Sequence, residues 1–336
     1  MEFYMRSFTV LLVAHVGRHI RLFHILLLSV AITLAMTGCA SVGERQAESE
    51  KPALHPETFI FKDKGQALYY TFEIGNPHPQ ETLVFFISGS GCASVKDLLQ
   101  TYFEPMHDLG VRFFALQKRG ITANSNGDFC SNAFEETDYS EHTLSDQQEF
   151  FDKTIAQLTT KPRAIVLIGA SEGTTIAAKL AGMEPSITHL GLIGGGGWTQ
   201  REDLRLLSHK VWYLGRPDET FRMIESDPNS LTRTAWGHSY KYWSSFLDID
   251  IGDILLSLKI PIVLAMGQED ESVPVESSIA MKKRFDEQKN HNLILRIYPG
   301  ADHRLRSRDK KTSYAKDFLN EISQAVRSGA VDQREP

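Results

Sequence analysis

Six short apolar runs, each followed by a turn-rich or helical stretch, constrain this chain more than any other feature. Thr82–Ile87 reads TLVFFI, and similar runs recur at Val111–Leu116, Ala164–Ile168, Ile187–Ile193, Ile260–Met266 and Leu293–Tyr298. A strand with one wet face alternates polar and apolar residues, whereas a continuous apolar run is buried on both faces. Helical stretches separate the runs, at Ser94–Leu109, Leu144–Leu158, Glu172–Met183, Val275–Lys289 and Thr312–Val326. Such alternation predicts an α/β fold built on a mainly parallel, doubly wound sheet. An opening hairpin is expected ahead of it, from Thr58–Phe61 and Ala67–Ile74 around a Lys64-Gly65 turn.

Composition agrees with a folded globular chain and narrows its class. With 336 residues, 42% hydrophobic and 23% charged, a full core is available, and disorder, collagen-like repeats and coiled coil are excluded. The net charge of -6 argues against nucleic-acid binding, which normally shows a basic excess. Three cysteines are too few for a disulfide scaffold but enough for one bridge.

The first 38 residues belong to a different kind of segment. Leu22 to Gly38 reads LFHILLLSVAITLAMTG, free of formal charge and preceded by Arg18 and Arg21. A basic flank, a short apolar run and small residues form the layout of a secretory signal peptide. The run is slightly short of the roughly 20 apolar residues that cross a bilayer, although an uncleaved signal anchor is the alternative. Its end, Met36-Thr37-Gly38-Cys39, resembles the lipobox of bacterial lipoproteins, with Met36 where leucine is usual. That resemblance implies cleavage after residue 38, lipidation of Cys39, and a membrane-anchored protein of the cell envelope facing the periplasm or exterior. Residues 39–56 are polar and non-periodic and read as a flexible tether. Arg6, Arg18, Arg21 and Glu2 would leave with the signal, taking the charge from -6 to about -8. An acidic body has no electrostatic attraction to anionic lipid, so the lipid would be the anchor. The remaining domain is expected over 57–336.

Two connections in that domain are too long for simple turns. Residues 119–143 are rich in Gly, Asn, Ser and Asp and are expected to form an ordered surface loop. Residues 198–258 hold all four tryptophans (Trp198, Trp212, Trp236 and Trp243), together with Tyr213, Tyr240 and Tyr242. This insertion is expected to be a helical cap over the C-terminal edge of the sheet, where ligands bind in such folds. For any single ring, holding the insertion to the body is a better explanation than touching a ligand.

Gly169-Ala170-Ser171-Glu172-Gly173 follows the run AIVLI and opens a helix. It is G-x-S-x-G in the strand–turn–helix setting that its chemistry requires, a sharp turn that lifts the serine hydroxyl clear of the backbone. Serine needs a base, and the base a carboxylate to orient it. Asp270 follows the run IPIVLAM, and His303 follows LILRIYPG, so all three side chains leave the same edge of the sheet. Glu269 and Glu271 flank Asp270, and Glu202 or Asp203 lies after the Ile187–Gly197 segment; these are the alternative acids. Asp302 adjoins His303 and is assigned to loop structure.

The order Ser171, Asp270, His303, with G-x-x-D-x-x-V-P and G-x-D-H around the last two, resembles the α/β-hydrolase-fold serine hydrolases across residues 57–328. That resemblance implies an oxyanion hole made by the Glu172 N–H and one N–H from Ser88-Gly89-Ser90-Gly91, with Ser90 the second donor by position and Gly91 the runner-up. Many relatives carry histidine where this chain has Ser88. Arg119-Gly120 resembles the family's Arg-Gly step and is expected to be structural. Cys92 and Cys130 lie in loops leaving one sheet edge, in a compartment read as oxidising, and are expected to form a disulfide that stiffens the oxyanion loop. No metal-ligand pattern is present and no cofactor is implied.

The function expected is acyl transfer from an ester, with an apolar or mixed group facing the aromatic cap and a small-molecule or lipid-like substrate. A peptidase of the same fold is the nearest alternative. It would need a carboxylate for the substrate amine, for which Glu219 and Glu225 are candidates. A thioesterase, and a lipid-anchored protein that keeps the fold but only binds, are further readings.

Overall fold

The structure, a computed structural model, describes residues 54–75 and 81–328. The expected signal segment, Cys39 and nearly all of the expected tether lie outside these residues. Among the described residues no helix is long and apolar enough to cross a membrane.

An eight-stranded sheet forms the centre. The first hairpin, β1 (Glu57–Ile60) and β2 (Gln66–Ile74), turns at Lys64, which adopts φ 69°. The runs named above become β3 (Thr82–Ile87), β4 (Val111–Leu116), β5 (Ala164–Ala170), β6 (His189–Ile193), β9 (Ile262–Gly267) and β10 (Leu293–Tyr298), while β7 (Thr234–Ala235) and β8 (His238–Ser239) form a separate small hairpin. The sheet order is β1-β2-β4-β3-β5-β6-β9-β10. The pairs β1/β2 and β2/β4 are antiparallel and all others parallel. Every parallel strand therefore delivers its C-terminal end to one edge.

Both faces of the sheet are covered, which is why the runs are apolar throughout. Leu83, Phe85 and Ile87 of β3 enter one core with Ile165 and Leu167 of β5, while Val84 and Phe86 enter the other with Val166 and Ile168. The period of two sends alternate side chains to opposite layers. The first core is filled by α3 (Ser140–Ala156), α4 (Glu172–Met183), α8 (Ile251–Ser257) and α9 (Val275–Glu287), through residues such as Phe150, Ile176, Leu255 and Phe285. The second is filled by α1 (Lys96–Tyr102), the following 3-10 turn and α10 (Ala315–Ser328), through Leu99, Met106, Phe318 and Ile322.

Three boundaries differ from the sequence expectation. The single helix expected over 94–109 ends at Tyr102, and after Phe103 the chain continues as a 3-10 turn over Glu104–Leu109, which wraps against α10. The 119–143 loop contains a helix, α2 (Asn132–Thr137), capped by the Ser131 hydroxyl accepting from the Phe134 N–H. The cap insertion holds α5 (Gln200–Leu207), α6 (Pro217–Ser226), the β7–β8 hairpin and α7 (Tyr240–Phe246), but its last helix, α8, packs on α4 in the layer beside the sheet. Hydrophobic periodicity alone does not say which partner an amphipathic helix meets.

Candidate active site

The turn from β5 into α4 places Ser171 at φ 54°, the only non-glycine residue of the elbow in the left-handed region. Three hydrogen bonds hold that strain. Ser171 N–H donates to the Ile193 carbonyl at 2.7 Å, and the Ser171 carbonyl accepts from the Thr174 N–H at 2.9 Å and the Thr174 hydroxyl at 2.6 Å. The flanking glycines have no room for a side chain: a Cβ on Gly169 would lie 2.3 Å from the Gly173 carbonyl oxygen, and one on Gly173 2.3 Å from that of Ile87. The strain of the elbow is thus maintained by close packing of α4 on β3 and β5.

His303 and Asp270 reach Ser171 from the ends of β10 and β9. His303 Nε2 lies 2.9 Å from Ser171 Oγ, and its Nδ1 lies 2.7 Å from Asp270 Oδ2. The Asp270 side chain is fully buried, and its Oδ1 accepts from the N–H groups of Ser272 and Val273. An ionised carboxylate can only accept, so Nδ1 carries the proton and Nε2 is left to accept from the serine hydroxyl. The structure therefore brings Ser171, His303 and Asp270 into one hydrogen-bonded array.

Asp270, and none of the alternative acids, is the carboxylate on His303 Nδ1. Glu269 and Glu271 are exposed. Glu202 closes a capping box with Thr199 at the start of α5. Asp203 is 7% exposed and receives a hydrogen bond from Ser277, whose hydroxyl oxygen in turn accepts from the Gly197 and Trp198 N–H groups. Burial, with the nearby charges of Glu202 and Asp270, raises its pKa to about 7 despite the Ser277 hydrogen bond. Asp302 serves the loop as expected, its carboxylate accepting from the Arg304 and Arg306 N–H groups and the Arg306 guanidinium.

The loop after β3 lies against the serine. A Cβ on Gly89 would stand 2.9 Å from that of Ser171, and Ser90 lines the same cavity as Ser171 and Glu172. The loop is fixed from the far side. Cys92 and Cys130 form a disulfide with Cα atoms 5.5 Å apart, the Ser94 N–H donates to the Ser125 carbonyl, and the Val95 N–H donates to the Gln117 side chain. Arg119 makes a two-pronged pair with Asp146 and a third bond to Asp63.

The cavity over Ser171 has a volume of about 260 Å³. Trp198, Tyr213, Trp236, Tyr242 and Trp243 of the insertion form much of its wall, and among the described residues no lysine or arginine lines it. Trp212, by contrast, is 89% exposed. Glu219 and Glu225 are absent from the lining and pair with Arg216 and Arg201. One group was not legible in the sequence. Lys118, at the end of β4, is buried between Glu172 and Asp138, and no spacing rule connects these three positions.

Comparison with curated proteins finds no match. Among solved structures, Est1E from Butyrivibrio proteoclasticus is similar at 17% identity and TM-score 0.58, over 81% of this chain and 99% of that one. An acylaminoacyl peptidase from Pyrococcus horikoshii is similar at 12% identity and TM-score 0.55, over 85% of this chain but 44% of its own. An esterase from Pyrococcus furiosus follows at 16% identity and TM-score 0.51, over 82% of this chain and 88% of that one. At these identities the likeness is one of fold, the α/β-hydrolase fold. Sequence similarity reaches further, because residues 99–326, which include Ser171, Asp270 and His303, match the prolyl oligopeptidase family, and the chain belongs to that family of serine hydrolases.

Proposed function

We propose that the protein is a carboxylesterase-like serine hydrolase working through an acyl-enzyme. Ser171 Oγ attacks the substrate carbonyl as His303 Nε2 takes its proton, and His303 then returns that proton to the leaving alcohol. Asp270 holds the imidazole in the required tautomer and stabilises its charged form. The N–H groups of Glu172 and Ser90 stabilise the tetrahedral oxyanion, at the N-terminus of α4 where the helix dipole also favours negative charge. Water then attacks the acyl-enzyme by the same steps, with no cofactor.

The observation that carries the ester reading is the wall of the cavity. Aromatic residues and Leu204, Leu207, Leu214, Ile249 and Ile251 line the cavity over the serine, which suits an apolar or mixed acyl or alcohol group. A peptidase is the second reading, favoured by family membership and by Asp203, a carboxylate in the cavity wall with no cationic partner among its contacts. We further propose that Cys39 carries a lipid anchor at the cell envelope, supported by the sequence around residues 36–39. A fluorophosphonate probe on the wild type and Ser171→Ala tests the nucleophile, with loss of labelling in the variant expected. A panel of p-nitrophenyl esters against aminoacyl amides tests the substrate class. Turnover of the amides in preference to the esters would overturn the ester reading.

A further inference from the structure

Behind Ser171, five side chains outside the Ser–His–Asp array close a ring. Lys118 Nζ lies 2.8 Å from Glu172 Oε1 and 3.1 Å from Oε2, so the ammonium straddles that carboxylate. The same nitrogen donates to Asp138 Oδ1 at 2.7 Å. Asp138 Oδ2 lies 3.5 Å from His238 Nδ1 on β8, and the His238 ring stacks on Tyr242 with centroids 3.9 Å apart. Tyr242, on α7 of the cap, completes the ring beside the Glu172 carboxylate, and the two shift one another's pKa.

The three charged members are almost wholly buried, with side chains of Lys118, Asp138 and Glu172 exposed by 6%, 4% and 2%. Burial alone would lower the pKa of Lys118, but its two carboxylates outweigh that and raise it. Burial likewise drives Glu172 upward, with Lys118 opposing it. Buried ion clusters of this kind gain little stability over well-packed apolar side chains. Their position is therefore the informative feature. Glu172 follows the nucleophile directly, and its N–H is one of the two proposed oxyanion donors.

Two physical consequences follow from that position. The carboxylate is held by Lys118, just past β4, and flanked from the cap by Tyr242, which restrains the first residue of α4 from both sides. An ionised carboxylate this close to a developing oxyanion would also oppose it, and the Lys118 ammonium at 2.8 Å cancels that charge. We propose that Glu172 and Lys118 are positioning residues for the oxyanion donor. The side chain of Glu172 fixes the aim of its own N–H, and Lys118 both holds and neutralises that side chain. Tyr242 and His238 extend the ring into the wall of the substrate cavity. The inference rests on the reading of Ser171 as nucleophile and the Glu172 N–H as donor.

The test is steady-state hydrolysis of a p-nitrophenyl ester by the full chain, with melting temperatures recorded for each variant. Glu172→Ala should lower kcat about 10²-fold, the scale of a lost oxyanion donor, with KM within about twofold. Glu172→Gln should recover at least about tenfold of that loss, because its amide oxygen still accepts from Lys118. Lys118→Met should lower kcat comparably, and Lys118→Met/Glu172→Gln should exceed Lys118→Met by about tenfold, since the uncompensated charge is gone. Tyr242→Phe removes one hydroxyl at constant ring volume and should lower kcat about threefold to tenfold, the scale of one hydrogen bond. It serves as the folded probe if Glu172→Ala does not fold. Equal activity of Glu172→Ala and Glu172→Gln, a KM rise at constant kcat, or an unaltered kcat in Tyr242→Phe each overturns the proposal. These outcomes are separable from failure of the underlying reading, which shows instead as ester hydrolysis surviving in Ser171→Ala.

Discussion

His303 Nδ1 sits 2.7 Å from Asp270 Oδ2, while the other oxygen of that fully buried carboxylate accepts from the Ser272 and Val273 N–H groups. The second contact dictates how an amide would sit. In Asp270→Asn the amide oxygen must take the two backbone donors, so the NH2 group faces His303 and donates to Nδ1. The ring proton then moves to Nε2, which can no longer accept from Ser171. We expect kcat to fall about 10⁴-fold with KM little changed, measured by ester hydrolysis across a range of substrate concentrations. A fall below tenfold would place the orienting acid elsewhere.

Gly173 faces the carbonyl oxygens of Ile87 and Ser88, which a Cβ would approach to 2.3 and 2.5 Å. Neither backbone oxygen can move without displacing the start of the loop that carries Ser90. Gly173→Ala should therefore cost about 1–3 kcal/mol of stability, the usual scale of overpacking, and reduce kcat together with it. Urea denaturation and ester hydrolysis on the same sample check both. A variant with wild-type midpoint and rate would contradict the close approach.

Asp203 has a pKa raised to about 7 in the folded protein, chiefly by burial. Between its unfolded value, near 4, and about 7 the folded state holds more protons than the unfolded one, so stability falls as pH climbs through that window. Above about 7 the loss is complete, and it amounts to at most about 4 kcal/mol. Asp203→Asn removes the ionisation, so it should raise Tm by several degrees at pH 8 and change it little at pH 4.5. An equal effect at both pH values would show that Asp203 does not titrate in this range.

The Cys92–Cys130 bridge closes a span of 38 residues behind the Ser88–Gly91 loop. Loop entropy assigns such a closure up to about 4 kcal/mol. Cys92→Ser/Cys130→Ser should lower Tm by several degrees, and dithiothreitol should have the same effect on the wild type and none on the double variant. Because the bridge braces the loop that carries Ser90, kcat should drop with it. An unchanged Tm after verified reduction would assign the loop's rigidity to the Ser94–Ser125 and Val95–Gln117 contacts instead.

How much of this was legible beforehand depended on whether the signal was local. Lys64-Gly65, TLVFFI and G-A-S-E-G each carry their conformational meaning within a few residues, through left-handed φ, double-sided burial and a tight elbow. Trp212 shows the limit of such reading. It shares its insertion with Trp198, Trp236 and Trp243, yet it stands exposed while they line the cavity. Glu219 and Glu225 were equally plausible cavity carboxylates by composition, but each faces an arginine on its own side of the cap.

The sequence by itself determined the doubly covered sheet and the placing of Ser171, Asp270 and His303 just past three strand ends, because these follow from short-range periodicity and motif order. The tertiary structure decided what stands behind Ser171. Lys118, Asp138 and Glu172 are 20 to 54 residues apart, and only the packing of β4, the α2–α3 junction and α4 brings them within hydrogen-bond reach. It also decided that Asp203, and neither Glu219 nor Glu225, is among the acids that line the cavity. A buried charge is placed by the partners that offset its desolvation, and those partners are neighbours in space rather than along the chain.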